Sequence, residues 1–359
     1  MGTLFSNMLK GDESLFTNPD ALDFEFQPKL LKYRENQQFA IANCIKPLFA
    51  GRTGRNVVLV GQPGIGKTLA VKHILKELDE QTDEIVPVYL NCWQKNTTFK
   101  IVMGLCEALN YRLTHNKKTE ELFEVVKRLI NKQGAVIILD EIDKVDEQDV
   151  IYTLIEEIYK KTIILITNHK EWLTELDDRI QSRLAPEVID FPPYTSKETE
   201  GILRQRLEYA FVSGCWDDEA FRKVADKTAA VQDIRTGLVL LREAGNAAED
   251  KGSRKVMPEH VDTAMQKLNL VSVKSSDDLD NEEEKKILEL AQSSQEMRIG
   301  DLFKKYTGAG GNPVYKTFQR RIKRLETKGF LVAKKVTGGA DGTTSLISYR
   351  NMGKKLTEF

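Results

Sequence analysis

The hydrophobic positions of the chain change their period twice. In the first part four short runs are apolar almost without interruption, Asn56–Val60 (NVVLV), Ile85–Leu90, Ala135–Leu139 (AVIIL) and Thr162–Ile166, and a fifth, Glu187–Phe191 (EVIDF), looks like a strand. Apolar runs of this length without alternation predict strands covered on both faces, the pattern of a parallel sheet. Helical stretches such as Leu69–Leu78 follow the strands, as crossovers between parallel strands require. The prediction is an α/β domain on a parallel five-stranded sheet, ended by Pro192-Pro193. From Ser196 to Leu270 the spacing becomes helical. Ser196 with Glu198, Thr199 and Glu200 marks a helix start. Leu203, Leu207 and Phe211 share a face, as do Phe221, Val224 and Ala225, then Leu238, Leu241 and Ala244. Pro258–Leu268 predicts a last short helix, which completes a small helical domain.

The third part begins after a polar, acidic stretch, Val271–Glu284, expected to be a linker running into an acidic first helical turn. Ile287, Leu288, Leu290 and Ala291 predict one helix, Ile299–Phe303 opens a second, and Asn312–Lys328 predicts a third with Pro313 in its first turn. Phe330–Val336 and Ser345–Tyr349 read as strands joined by a glycine-rich tip, Thr337–Thr344. Three helices followed by a β-hairpin is the order of a winged helix. The expected organisation is an N-terminal arm (1–26), an α/β base (27–193), a helical domain (194–270), a linker (271–284) and a winged helix (285–359).

Charge sharpens this division. The 359 residues carry 53 basic and 54 acidic side chains, net −1. Residues 285–359 hold 16 basic and 6 acidic groups, net +10, which leaves residues 1–284 at net −11. A basic segment on an acidic body points to nucleic acid. No apolar run approaches the roughly eighteen residues that span a bilayer, so no membrane role is expected. The N-terminal stretch lacks a signal-peptide apolar region. Cys44, Cys92, Cys106 and Cys215 form no metal-ligand spacing and are expected to be buried thiols in a reducing cytoplasm. A serine hydrolase has no Gly-x-Ser-x-Gly to support it.

Gly61-Gln62-Pro63-Gly64-Ile65-Gly66-Lys67-Thr68 directly follows the first strand, with Leu69 opening a helix. This is the phosphate-binding loop in its required strand–loop–helix setting. Its glycines let successive backbone N–H groups converge on an anion, and the helix N-terminus adds its positive end. Lys67 is expected at the β- and γ-phosphates, and the Thr68 hydroxyl on Mg²⁺. Asp140-Glu141 ends the third strand. Asp140 is expected to hold the Mg²⁺ shell, and Glu141 to orient or deprotonate the attacking water. Asn168 follows the fourth strand, where it lies beside Asp140 if the strands are neighbours. No Asn-Lys-x-Asp motif reads guanine, which favours ATP and ADP.

GQPGIGKT, VIILDEID, LITN and RIQSRL, in this order, resemble the AAA+ ATPases. DFEFQPKLLKYRENQQ (Asp23–Gln38) and ELDDRIQSRLAPEVIDFPPYT narrow the likeness to the archaeal replication initiators related to origin-recognition-complex subunit one and the cell-division-cycle-six loader, from about Asp23 to the C-terminus. The resemblance implies a P-loop ATPase base, a helical lid and a winged helix. It assigns Asn168 as the first sensor and Arg183 as a finger toward a neighbouring subunit's nucleotide. It makes Arg235, at the Asp233-Ile234-Arg235 helix start, the second sensor, and puts Tyr33 and Arg34 near the adenine. The family usually has Gly where this chain has Gln232. The implied partners are double-stranded origin DNA, the protein itself or related initiators, and a replicative helicase, in an archaeal, nucleoid-associated setting.

Phe318, Ile322 and Leu325 recur at helical spacing and are expected in the core, which turns Tyr315, Lys316, Gln319, Arg320, Lys323 and Arg324 outward. Residues 313–328 hold six basic side chains and one acid. Such a helix suits a major groove, with Gln319 or Arg320 reaching base edges and the other cations neutralising phosphates. Lys334, Lys335 and the tip glycines Gly338 and Gly339 suit the adjacent minor groove. Asn91–Asn110 resembles the family's helical insertion, with Lys95, Thr98 and Lys100 as further DNA candidates. The expected function is an ATP-dependent replication initiator with slow, switch-like hydrolysis. The alternatives are a AAA+ transposition or remodelling ATPase and an ATP-regulated transcription factor, whose winged helix binds protein or operator DNA.

Overall fold

The computed structural model describes residues 14–277, 282–292, 297–311, 314–327, 331–336 and 344–349. The chain forms two compact units, Met1–Met265 and Gln266–Phe359.

The first unit contains a five-stranded sheet of β1 (Val57–Val60), β2 (Ile85–Asn91), β3 (Gly134–Asp140), β4 (Lys161–Thr167) and β5 (Glu187–Asp190) in the order β2-β3-β4-β1-β5. All neighbours are parallel. Every residue of β1, β3 and β4 is buried, as their unbroken apolar runs predict. Helices α1 (Glu35–Ile45) and α2 (Lys67–Gln81) cover one face, with Ile41, Ile45, Val71 and Ile74 in the core beneath them. Helices α3 (Thr98–Ala108), α4 (Thr119–Ile130), α5 (Asp149–Glu157) and α6 (Asp178–Leu184) cover the other, around Leu105, Leu122, Val126 and Leu154. The register sets the C-terminal tips abreast: Val60 pairs with Thr167, and Asp140 with Ile166. Ligands in open α/β sheets bind beyond such tips.

Helices α7 (Ser196–Ala210), α8 (Asp218–Val231), α9 (Ile234–Asp250) and the start of α10 (Pro258–Asp277), which runs on past Met265 into the second unit, complete the first unit. The cap of α7 is Thr195, one residue before the expected start. Its hydroxyl and the Glu198 carboxylate form a reciprocal capping box. Asp217 and Asp233 cap α8 and α9 with their carboxylates alone, accepting from the N–H groups of Glu219 and Ala220 and of Arg235. Gln232, at the position where the resemblance leads to glycine, lies in the left-handed region with φ 60°. A side chain there costs about 1–2 kcal/mol that glycine avoids. α10 continues nine residues past the expected end at Leu268, because no Gly or Pro follows Pro258 before Asp277 to stop it.

The segment before the sheet packs against these helices. The Phe16 ring lies 4.5 Å from that of Phe211. Buried Arg206 donates to the carbonyls of Ala21 (3.1 Å) and Phe26 (3.0 Å), and Arg242 pairs with Asp23. The four cysteines are buried free thiols, and no described helix is long and apolar enough to cross a membrane.

The second unit contains α11 (Glu282–Gln292), α12 (Ile299–Gly308) and α13 (Tyr315–Thr327), with a three-stranded antiparallel sheet. That sheet pairs β6 (Met297–Arg298) with β8 (Thr344–Tyr349), and β8 with β7 (Leu331–Val336). Ile287, Leu302, Tyr306, Phe318, Ile322, Leu325 and Ile347 form its core. Three helices and a hairpin strand pair make a winged helix, with Phe318, Ile322 and Leu325 inward as the spacing predicts. β6 is an addition that two residues do not announce.

Candidate functional site

The site grows from the three central strand tips. β1 leads into the loop Gly61–Gly66, which turns into α2. Gly64 (φ 76°) and Gly66 (φ 90°) adopt left-handed conformations that suit glycine. Space excludes a side chain as well. A Cβ on Gly64 would lie 2.0 Å from Asp233 Oδ1, and one on Gly66 would lie 2.8 Å from the Tyr194 hydroxyl.

Lys67 is buried, with its ammonium folded over the loop. It donates to the carbonyls of Gly61 (2.7 Å) and Gln62 (2.8 Å) and to Asn168 Oδ1 (2.8 Å). Burial lowers its pKa to about 8, against an opposing effect of Asp140. Thr68, the next residue, donates its hydroxyl to Asp140 Oδ2 at 2.6 Å. Asp140 Oδ1 accepts the Glu141 N–H at 2.9 Å. Glu141 has a left-handed backbone (φ 55°), which turns the chain sharply at the end of β3. Burial, then the charges of Asp140 and Asp143, raise its carboxyl pKa. Lys67, Thr68, Asp140, Glu141 and Asn168 thus converge from α2, β3 and β4.

These five residues line one cavity with Pro63–Gly66, Leu69, Lys72, Tyr194 and Arg235. Its remaining walls come from the segment before α1 (Phe24, Glu25, Pro28, Leu31, Lys32) and from α7 (Ile202, Gln205, Arg206). None of these eight residues was expected in the site, although the first five lie within the Asp23–Gln38 motif: that segment has no periodic pattern, and a buried Arg or Gln on a helix has no local signature. Gln205 also ties the two together by donating to the Leu30 carbonyl at 3.2 Å.

Four expected cofactor contacts, Tyr33, Arg34, Gly61 and Gln62, are absent from the cavity lining. Arg34 is buried beneath the loop, where Nε and Nη2 donate to the Ile65 carbonyl (3.2 and 3.1 Å) and Nη2 also donates to that of Pro192 (2.7 Å). Its guanidinium stacks 3.8 Å from the Tyr194 ring centroid. A rigid five-donor fork suits the gap between loop and sheet border, so Arg34 braces the loop from behind. The Gly61 and Gln62 carbonyls face Lys67. Arg183 is outside the cavity too, paired with Glu156 and 5.4 Å from the Tyr152 ring centroid.

The Thr68–Asp140 pair fits Mg²⁺, which takes one or two protein oxygens and completes its shell with water and phosphate. Among the described residues no group of three or more His, Cys, Asp or Glu side chains forms a metal site of its own.

In the second unit, Lys316, Gln319, Arg320, Lys323 and Arg324 are exposed along α13. Tyr315 is 39% exposed, with its ring packed edge-on to Phe303 at 4.9 Å. Arg324 lies 3.9 Å from Glu284. Arg321 turns inward, donating to Glu283 (3.0 Å) and the Tyr306 hydroxyl (2.6 Å). Lys334 and Lys335 fall on β7, opposite Leu346 and Ser345 of β8. Gly338 and Gly339 lie outside the described residues. In the first unit, Lys95 pairs with Glu107 (2.7 Å), Thr98 donates to Glu147 (2.9 Å) and Lys100 donates to Asn96 (3.0 Å).

The AAA domain family matches residues 51–173, and the Cdc6 AAA+ ATPase-type lid domain matches residues 200–266. The chain is 30% identical over 358 residues to ORC1-type DNA replication protein 2 of Methanosarcina mazei, covering 95% of both chains. It is 28% identical over 361 residues to ORC1-type DNA replication protein 2 of Methanothermobacter thermautotrophicus, covering 95% of this chain and 93% of that one. The Aeropyrum pernix ORC1 protein, solved in complex with DNA, superposes with a TM-score of 0.74 at 24% identity over 93% of each chain.

Proposed function

The chain belongs to the ORC1-type family of DNA replication initiators, which are AAA+ ATPases, and we propose that it binds ATP with Mg²⁺ in the strand-tip cavity and origin duplex DNA through its winged helix. The observation that carries the nucleotide reading is the convergence on one cavity of two contacts, Lys67 to Asn168 Oδ1 at 2.8 Å and Thr68 to Asp140 Oδ2 at 2.6 Å, made by residues adjacent in the chain at the start of α2. The loop amides and the α2 N-terminus would receive the phosphates. Lys67 would exchange its carbonyl partners for phosphate oxygens, a stronger, charge-assisted set. Mg²⁺ would supply charge neutralisation at the β- and γ-phosphates. Thr68 and Asp140 would hold it, and Glu141 would orient or deprotonate the attacking water.

Arg235 lines the cavity from the start of α9, so contact with the γ-phosphate would make α9 sensitive to hydrolysis. Arg183 is outside this cavity, which supports a role toward a neighbouring subunit's nucleotide and slow hydrolysis by an isolated copy. The DNA reading rests on the outward set Lys316, Gln319 and Arg320 on α13 and on the +10 charge of residues 285–359. Lys95, Thr98 and Lys100 would add a second contact once DNA phosphates compete for their present partners. Pairing with itself or a related initiator, and helicase recruitment, are extensions that rest on family membership.

Titration with a fluorescent ATP analogue tests the nucleotide reading. Lys67→Ala weakens binding at least about 100-fold, as expected for loss of charge-assisted phosphate contacts. Binding within threefold of the unaltered protein would remove Lys67 from the site.

A further inference from the structure

The β2–β3 register pairs Tyr89 with Ile138 and Asn91 with Asp140. From β2 the Tyr89 hydroxyl donates to Asp140 Oδ2 at 2.7 Å. This is the same oxygen that accepts the Thr68 hydroxyl at 2.6 Å. With the Glu141 N–H on Oδ1 at 2.9 Å, both oxygens of the carboxylate are tied. The tyrosine ring is itself fixed: the Lys72 ammonium lies 5.0 Å from its centroid, and Lys72 pairs with Glu25 at 2.5 Å.

We propose that Tyr89 is a positioning residue for the divalent metal, acting through Asp140. A carboxylate with free rotation would meet the metal's water shell in several orientations. One held by a rigid phenol presents Oδ2 beside the Thr68 hydroxyl before the metal arrives. Hydrogen-bond partners of metal-holding groups commonly alter metal affinity 10–100-fold when removed. Tyr89 belongs to no nucleotide-binding motif, and its role follows from the hydrogen bond that its place on β2, diagonal to Asp140, lets it make. The inference rests on the nucleotide reading of the same cavity.

The test is Tyr89→Phe, which removes one oxygen and keeps the ring. A fluorescent ATP analogue is titrated at a series of Mg²⁺ concentrations and again in EDTA. The expected result is an increase of about tenfold in the Mg²⁺ concentration at half-maximal enhancement of binding, with affinity in EDTA unchanged within twofold. An unchanged Mg²⁺ midpoint would overturn the proposal. Equal loss of affinity in EDTA and in Mg²⁺ would overturn it too, by revealing a purely structural role. Failure of the unaltered protein to bind the analogue would instead overturn the nucleotide reading itself.

Discussion

The two units of the chain use charge in opposite ways. Around the strand tips, charged groups are buried and partnered: Lys67 by three oxygens, Asp140 by two hydroxyls and an amide, and Arg34 by main-chain carbonyls. On α13, Lys316 and Arg320 stand in solvent above a core of Phe318, Ile322 and Leu325. A buried, wired set suits a small ligand that must be held at a few fixed points. An exposed basic row suits a long polyanion that is met through many screened contacts. The net charge of −1 is therefore the sum of two different designs.

The largest expected effect separates them by salt. With about six to ten phosphate contacts, DNA affinity falls roughly 10³–10⁵-fold between 50 and 200 mM salt. ATP affinity, measured on the same protein, changes by less than about tenfold, because buried interactions are screened much less. Parallel losses would break the comparison. Next in size is Glu141→Gln. It retains ATP binding and lowers phosphate release about 10²-fold or more, the range of general acid–base contributions. Unchanged turnover would move the base elsewhere. The smallest effect concerns the link between α8 and α9. Gln232→Gly relieves the left-handed backbone at φ 60° and raises stability by about 1 kcal/mol in a denaturant titration. A loss of stability would mean that the Gln232 side chain contributes more than its backbone costs.

The gathering of Lys67, Thr68, Asp140, Glu141 and Asn168 at one cavity was largely legible in the sequence because its parts are local. The loop, Asp140-Glu141 and Asn168 each end a recognisable apolar strand, and parallel pairing then brings them together. Arg34 was visible as a motif residue, but its place was not: only the folded loop reveals that its donors match the Ile65 and Pro192 carbonyls. Tyr89 and Arg206 carried no signal, since one reaches Asp140 through strand register and the other reaches the Ala21 and Phe26 carbonyls across the fold. The inward face of α13 followed from its period, whereas Arg321, assigned to neither the core nor the outward set, turns inward. Its partner Glu283 sits on another helix, where spacing along α13 gives no warning.

The most direct test of the division of labour reads both ligands on one variant. Lys316→Ala combined with Arg320→Ala is assayed for duplex DNA by gel shift at several salt concentrations, and for ATP by fluorescence. The expected result is DNA affinity at least about tenfold weaker, with a salt slope shallower by about two, and ATP affinity within twofold of the unaltered protein. Unchanged DNA affinity and slope, with ATP bound normally, would contradict it.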